Sequence, residues 1–429
     1  MATRSTQRNS CDHEALGYHR PRSLCGLLLA SHSRPMTNHR NLPITKPFLG
    51  EAELAAVRLP LETGWLVQGP FVREFEEKFE RFTGANHAVA TSSCTTALHL
   101  SVAALGLRPG DEVIVPAFTW VSTPNVVEYM GARPVFCDVD LATFNIDVDQ
   151  VASHITDRTV GIIAVHLFGL CADLDPLLAI ARDRGLWVLE DAACGFGSWY
   201  GEHHAGTLGD LGCFSFHPRK SITTGEGGMV TTERADLADR IRSLRDHGAS
   251  RSDFDRHSGR ASYLLAEYDM LGYNYRLTDL QAAVGGAQMD RAGWILEQRR
   301  RCASAYDELL SGVEWLRLPV TPNGYRHGYQ AYVTLFAPEA PTIENVGVLH
   351  KRRNELMAAL EERGIATRPG THAAALQGFY AKKYGLDASA VPNAYLADRI
   401  SLALPLFPQM DQSDLEYVVR ALIEVGGPT

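Results

Sequence analysis

The stretch TVGIIAVHLFGLCADLDPLLAIARDRGLWVLED, residues 159–191, decides the fold. Its first part, TVGIIAVH, is a run of aliphatic and β-branched residues of the kind found in a strand buried on both faces. DLDPLLAIARDRG then reads as a helix, and LWVLE as a second buried strand. Strand, helix, strand in that order is the unit of a parallel sheet, because parallel neighbours need a long crossover between them.

Outward from this unit the pattern repeats. AVAT ends a strand near 88–91, and EVIVP (112–116) and PVFCDV (134–139) are further buried strands. TTALHLSVAALGL carries apolar residues at helical spacing. From about residue 278, LTDLQAAVGGAQMDRAGWILEQRRRCASAYDELLSG predicts a long helical stretch with a break at Gly285 and Gly286. Beyond it, YQAYVTLF and RISLALPLF are strand-like, and HKRRNELMAALEERG and QSDLEYVVRALIEVG are helix-like. The expected architecture is α/β. A large domain over 43–290, with a mainly parallel sheet flanked by helices, precedes a smaller α+β domain over 291–429. Residues 1–42 are expected to be a disordered tail. Within it, LCGLLLA (24–30) follows Arg20 and Arg22 at the short limit of a signal-peptide core. The stronger reading takes the Ser, His and Arg-rich residues 1–35 as a tail and Met36 as the start of the folded protein.

Composition narrows the function classes. A chain of 429 residues with 45% hydrophobic and 21% charged residues and a formal charge of -9 has the make-up of a soluble enzyme-sized protein, without the basic excess that grips nucleic acid. No apolar run approaches the ~20 residues that span a bilayer. The eight cysteines are scattered, with neither a disulfide framework nor zinc-ligand spacing, so no metal is expected and a reducing cytoplasm fits best.

Chemistry concentrates in residues 186–231. LWVLE delivers Glu190 and Asp191 to the C-terminal end of a strand, where open α/β sheets place their active sites. Lys220 follows in GCFSFHPRKSITTGEGGMVTT, where a strand-like CFSF opens into a polar loop and GMVTT begins another strand. An amine and a fixed carboxylate so placed suit pyridoxal phosphate (PLP). That cofactor needs one lysine for its Schiff base and one carboxylate to keep its ring nitrogen protonated. Position alone leaves open the alternative that Asp191 caps a turn and Lys220 is a solvated surface residue. GFGSWYG (195–201) has a dinucleotide-like glycine spacing, but its glycine-rich continuation lacks the helix that would meet a pyrophosphate. A better phosphate site is TSSCTTALH (91–99), where hydroxyl residues lie between a strand and a helix. Thr95 and Thr96 would face the anion, and Ser215 on CFSF would add a hydroxyl. In the plainer reading, Ser93 or Cys94 is only the helix N-cap.

The strings SSCTTALHL, GDEVIVPAFTWVST, GARPVFCDVD, EDAACGFGS, GCFSFHPRKSITTGEGGMVTT and GYNYRLTDLQAA, in this order, resemble the DegT/DnrJ/EryC1/StrS family of sugar aminotransferases. The resemblance runs from about residue 45 to near the C-terminus. It implies a fold type I PLP enzyme with a mainly parallel seven-stranded sheet, working as a homodimer with shared active sites. Lys220 would be the Schiff-base lysine, Asp191 the pyridinium partner, and Thr95, Thr96 and Ser215 the phosphate ligands. Trp120 would stack on the cofactor ring, the alternative being a core tryptophan. Asn274 would reach the phosphate of the neighbouring subunit's cofactor, the alternative being a turn residue ahead of the helix capped by Thr278. Cys194 departs from the Gln or His common in the family beside the cofactor's 3-hydroxyl, and a thiol is only a weak donor. Nothing in the sequence pairs Cys194 with a base, so a nucleophilic role is not expected.

A lysine at 220, where some relatives carry His and dehydrate, favours transamination. The resemblance implies a keto-sugar acceptor linked to a nucleotide, with glutamate as donor. Trp65, His166, Arg276 and the polar stretch 249–260 are candidate substrate contacts. For His166, a satisfied histidine at a strand end is the competing reading. A keto-cyclitol or aromatic amino-acid enzyme of the same fold, or a PLP-binding regulator, are the alternative functions.

Overall fold

Strand order explains why the chemistry gathers at one edge. The computed structural model describes residues 40–250 and 265–426. Its main sheet has seven strands: β1 (His87–Thr91), β2 (Glu112–Pro116), β3 (Arg133–Cys137), β4 (Thr159–Val165), β5 (Trp187–Asp191), then β8 (Leu211–Ser215) and β9 (Gly228–Thr232). Between them lie two short strands, β6 (Trp199–Tyr200) and β7 (His203–His204), which join β11 (Tyr325–Arg326) in a small sheet. A third sheet holds β10 (Leu316–Arg317), β12 (Tyr332–Phe336) and β13 (Ser401–Leu404).

The main sheet runs β1-β9-β8-β5-β4-β2-β3. All its strands are parallel except β9, which is antiparallel to both β1 and β8. The two-residue strand β6 stands where a dinucleotide turn would have opened a helix, so GFGSWYG is not such a turn. β2 is buried at every residue and β4 at all but one, which is why neither shows polar alternation.

Helices α1 (Glu51–Thr63), α2 (Pro70–Thr83), α3 (Cys94–Ala104), α4 (Ser122–Tyr129), α5 (Val148–Val151), α6 (Leu174–Arg184) and α7 (Ala235–Arg245) precede or link these strands. They are followed by α8 (Asp279–Met289), α9 (Ala292–Leu310), α10 (Val346–Glu362), α11 (Gly378–Tyr384), α12 (Pro392–Ile400) and α13 (Gln412–Gly426). None of the described helices is long and apolar enough to cross a membrane.

Two expectations need correction. The long helix does not break at its glycine pair, because Gly285 lies inside α8 and the interruption falls at Asp290 and Arg291. Gly285 is there for packing: a Cβ on it would stand 2.7 Å from the ring of Phe75, a fully buried residue of α2. Gly285→Ala is therefore expected to destabilise the protein by about 1–3 kcal/mol through overpacking, more than the ~1 kcal/mol it gains in helix propensity. A lowered midpoint in urea unfolding checks this, and an unchanged midpoint would show that α2 yields. The expected tail also ends before residue 42. Leu42 is buried, its N–H donates to the Gly364 carbonyl at 2.8 Å, and Arg40 pairs with Asp414 at 3.0 Å. Residues 1–39 lie outside the described residues.

Candidate active site

Successive residues of a strand face opposite ways, and β5 uses this to separate two adjacent carboxylates. Glu190, with no exposure, accepts from the N–H groups of Gly206 (2.7 Å), Leu208 (2.7 Å) and Gly209 (2.6 Å). His166 Nε2 completes the set at 2.7 Å. Because His166 Nδ1 accepts from the Ala172 N–H at 3.1 Å, its proton sits on Nε2 and the ring is neutral. Burial pushes Glu190 up, yet the hydrogen bonds from His166 and from Gly209 and Gly206 outweigh it and the net shift is downward. His166 is thus wholly buried with both nitrogens occupied. It fixes the loop after β5, so of the two readings the satisfied histidine holds and the substrate contact does not.

Asp191 faces the other way. Only 3% exposed, it accepts from Thr123 Oγ1 at 2.7 Å and from the Ala193 N–H at 3.2 Å, and Thr123 is in turn 3.0 Å from Thr119. Burial raises its pKa despite the Thr123 bond, the Ala193 bond and the nearby positive charge of Lys220. A buried carboxylate that its protein donors do not fully compensate is suited to a cationic partner. Thr123 was not singled out in the sequence. Thr119 and Thr123, a helical turn apart in FTWVST, were the available signal.

Lys220 lies in the loop between β8 and β9. Phe216 pins that loop at its base: its N–H donates to the Gly227 carbonyl at 2.9 Å and its carbonyl accepts from the Thr224 N–H at 3.0 Å. The Lys220 amine donates to Cys194 Sγ at 3.1 Å, three residues beyond Asp191. So the thiol has a basic neighbour that the sequence did not show.

The region expected to bind phosphate is built around Gly228. Register places Thr91, Gly228 and Ser215 side by side on β1, β9 and β8. A Cβ on Gly228 would stand 2.5 Å from the carbonyl carbon of Ser93 and 2.7 Å from the Cys94 nitrogen, so only glycine lets the start of α3 settle against the sheet. Ser93 is the N-cap: its Oγ accepts from the Thr96 N–H at 3.1 Å, and Thr96 Oγ1 accepts from the Ser93 N–H at 3.0 Å. The plainer reading of this turn therefore holds for Ser93. The Thr96 hydroxyl is also committed, since it donates to the Ser93 carbonyl at 2.7 Å. The half-buried Thr95 hydroxyl has no such engagement, and the N–H groups of Cys94 and Thr95 precede the reach of any helical acceptor. Among the described residues, Ser215 Oγ meets only a long 3.4 Å contact from the His217 N–H.

The remaining candidates lie around these groups. Trp120 is 59% exposed, which excludes the core alternative, and its ring lies 5.9 Å from that of His372. Asn274 and Arg276 flank Tyr275, whose carbonyl accepts from the Ser92 N–H at 2.9 Å. Asn274 is exposed, whereas Arg276 is ion-paired with Asp246. Trp65 is half-buried beside Gly69, where a Cβ would stand 3.0 Å from its ring. Of the polar stretch 249–260, all but Ala249 and Ser250 lies outside the described residues.

The sequence profile of the DegT/DnrJ/EryC1/StrS aminotransferase family matches residues 47–423. The chain belongs to this family. It is 38% identical over 393 residues to the spore coat polysaccharide biosynthesis protein SpsC of Bacillus subtilis, with 91% of this chain and 99% of SpsC covered. The aminotransferase TlmJ from Streptoalloteichus hindustanus superposes with a TM-score of 0.80 at 33% identity, over 90% of this chain and 98% of TlmJ. A sugar-aminotransferase candidate from Streptococcus pneumoniae, in its PMP form, superposes with a TM-score of 0.82 at 27% identity, over 90% of this chain and 99% of its own. This DegT/DnrJ/EryC1/StrS aminotransferase is accordingly a PLP-dependent transaminase of fold type I. The residues present fit that cofactor: a buried carboxylate suited to a cation, a lysine amine whose charge that carboxylate feels, and a helix start with free N–H groups beside the Thr95 hydroxyl.

Proposed function

We propose that this enzyme moves an amino group from L-glutamate to a keto sugar carried on a nucleotide, in the making of an amino sugar. The observation that carries the reading is the amine of Lys220 hydrogen-bonded at Cys194, with its charge felt by the buried Asp191. The sugar class is supported by the likeness to SpsC, a polysaccharide biosynthesis protein.

When bound, PLP supplies a carbon that bonds reversibly to amines and a protonated ring that draws electrons from that carbon. Asp191 would hold the ring's nitrogen protonated, oriented by Thr123 and the Ala193 N–H. Lys220 would hold the cofactor at rest and, with the donor bound, would serve as the base that moves the proton held at the donor's Cα. With the keto sugar bound, the same amine works in reverse. Thr95, the free N–H groups at the start of α3 and Ser215 would take the phosphate, with Thr96 holding the turn in shape. Trp120 would cover one face of the ring, and Cys194 would stand beside its hydroxyl. Trp65 and Arg276 are the residues we would test for contact with the sugar. In a homodimer, the exposed Asn274 of one copy would reach the phosphate in the other. The six described cysteines are all free, which suits a cytoplasmic enzyme.

The test is a panel of keto sugars on different nucleotides, incubated with holoenzyme and glutamate and read by product mass. An amino sugar with 2-oxoglutarate is expected. Conversion of the bound cofactor by glutamate without any sugar product would overturn the acceptor class, and no conversion would overturn the donor. Thr123→Val is expected to lower kcat about tenfold, because a hydrogen bond to a charged group contributes ~1.5–3 kcal/mol. Steady-state kinetics check this, and a rate equal to wild type would mean Asp191 needs no orienting hydroxyl.

A further inference from the structure

The turn that carries the lysine is HPRK, residues 217–220. Proline at its second position presets the backbone for such a turn. The Lys220 N–H donates back to the His217 carbonyl at 2.8 Å, and the Arg219 N–H donates to His217 Nδ1 at 3.2 Å. One further bond comes from outside the loop: Gln330 Nε2 donates to the Arg219 carbonyl at 2.8 Å. A carbonyl only accepts, so the Gln330 amide must turn its nitrogen toward it. The peptide unit between Arg219 and Lys220 is therefore held at both ends, its oxygen by Gln330 and its N–H by His217. Because that unit is planar and rigid, the two bonds set its orientation. On the other side of Lys220 the chain enters the buried run of Ser221, Ile222, Thr223 and Thr224. With the backbone fixed before and after it, Lys220 leaves the loop in one direction.

Gln330 is itself built in. It is only 6% exposed and lies between β11 and β12. Arg299 of α9, 1% exposed, donates through Nη2 to the Gln330 carbonyl at 2.5 Å and through Nε to the Tyr329 carbonyl at 2.9 Å. Tyr329 has a φ of 45°, a left-handed conformation that an aromatic residue keeps only where its surroundings impose it. Here they are His327, whose ring stacks on Tyr329 at 4.0 Å and whose Nδ1 accepts the Tyr329 N–H at 2.8 Å, and Gly169. A Cβ on Gly169 would stand 2.8 Å from the Tyr329 nitrogen and 2.9 Å from that of Gln330. Backbone strain of this kind gathers where a chemical task needs it, and the group that this turn reaches is the peptide before Lys220.

We propose that Gln330 is a positioning residue for Lys220, its amide setting the peptide plane from which the reactive amine is carried; this rests on the reading of Lys220 above. Gln330 is buried and its amide nitrogen is committed to the loop backbone, so its effect reaches the reaction through the lysine. The amine stands at the end of a long flexible stem and has two tasks, holding the cofactor and moving the proton at the donor's Cα. Both depend on where that stem is rooted, and a misplacement of about 1 Å can cost up to 10²-fold in rate.

The test uses holoenzyme and Gln330→Met, which keeps the length of the side chain but cannot donate. In single turnovers with saturating glutamate, the rate of cofactor conversion should fall about 3- to 10-fold, the range of one neutral hydrogen bond. The KM values for glutamate and the keto sugar should stay as in wild type. The isotope effect with glutamate deuterated at Cα should be no smaller than in wild type, since the slowed step is the proton transfer. Gln330→His, which can donate from its own Nε2, should recover part of the rate. Arg299→Lys, which keeps the charge but loses the fork across the two carbonyls, should slow the same step and gives a second reading where methionine is not accommodated. A wild-type single-turnover rate in Gln330→Met would overturn the proposal. So would a raised KM for either substrate at an unchanged rate, which would make Gln330 a substrate contact. Both of these results leave Lys220 standing as the reactive lysine. A Lys220→Ala variant whose cofactor glutamate still converts at the wild-type rate would instead bring down that reading and the proposal with it.

Discussion

Lys220→Ala is expected to lower turnover by roughly 10⁴-fold, the upper range for removing a positioned acid-base group, and to erase the visible absorbance of lysine-bound PLP. Both losses trace to one atom. The amine we propose to hold the cofactor at rest is also the one proposed to move the proton in each half-reaction, and its hydrogen-bonded side-chain neighbour is the thiol of Cys194, only a weak donor and acceptor. No other lysine stands in the loop between β8 and β9. Absorbance and single-turnover rates with glutamate give the readout. A variant that keeps the wild-type spectrum would remove Lys220 from the site altogether, whereas added small amines restoring part of the rate would support its role as base.

Asp191→Asn is expected to cut kcat by about 10²- to 10³-fold while leaving the protein folded. Breaking a buried charge pair costs about 3–5 kcal/mol, and each 1.4 kcal/mol is tenfold. The sign of the accompanying stability change separates a cofactor partner from a structural acid. Because burial raises the Asp191 pKa, the folded apoprotein holds that proton to higher pH than the unfolded chain does. Its contribution to stability therefore falls as pH rises from the ordinary carboxylate range through the raised value, and above it the buried charge is a net cost. The asparagine variant should make the apoprotein as stable as wild type or more so at neutral pH, and the holoprotein less so. Melting curves with and without PLP test this. A loss of stability in the apo form as large as in the holo form would mark Asp191 as a structural residue.

Much of this fold can be read along the chain because its strands are short, apolar on both faces and bounded by helices of regular spacing. EVIVP is β2 residue for residue, and LWVLE misses β5 only at its ends. What could not be read depends on contacts across the chain. The glycines at 285 and 286 look like helix breakers locally, but Phe75 of α2 needs the space one of them leaves. For His166 the sequence leaves a pocket residue and a satisfied histidine in balance, and only its bond to Glu190, itself held by the loop 206–209, decides for the second. Thr96 resembles a phosphate ligand until its hydroxyl is found closing the cap with Ser93.

The reversed direction of β9 decides how the lysine can be delivered. A parallel strand in that place would demand a crossover of a dozen or more residues to the far side of the sheet, with a helix layer to be repacked whenever the connection changed. A strand that runs back needs only a hairpin-like return, and this one is anchored in the core on both sides of Lys220, by Phe216 and by Ile222, Thr223 and Thr224, all buried. The amine at 220 is thus carried on a return whose feet belong to the core, so its position is set by the sheet that carries it.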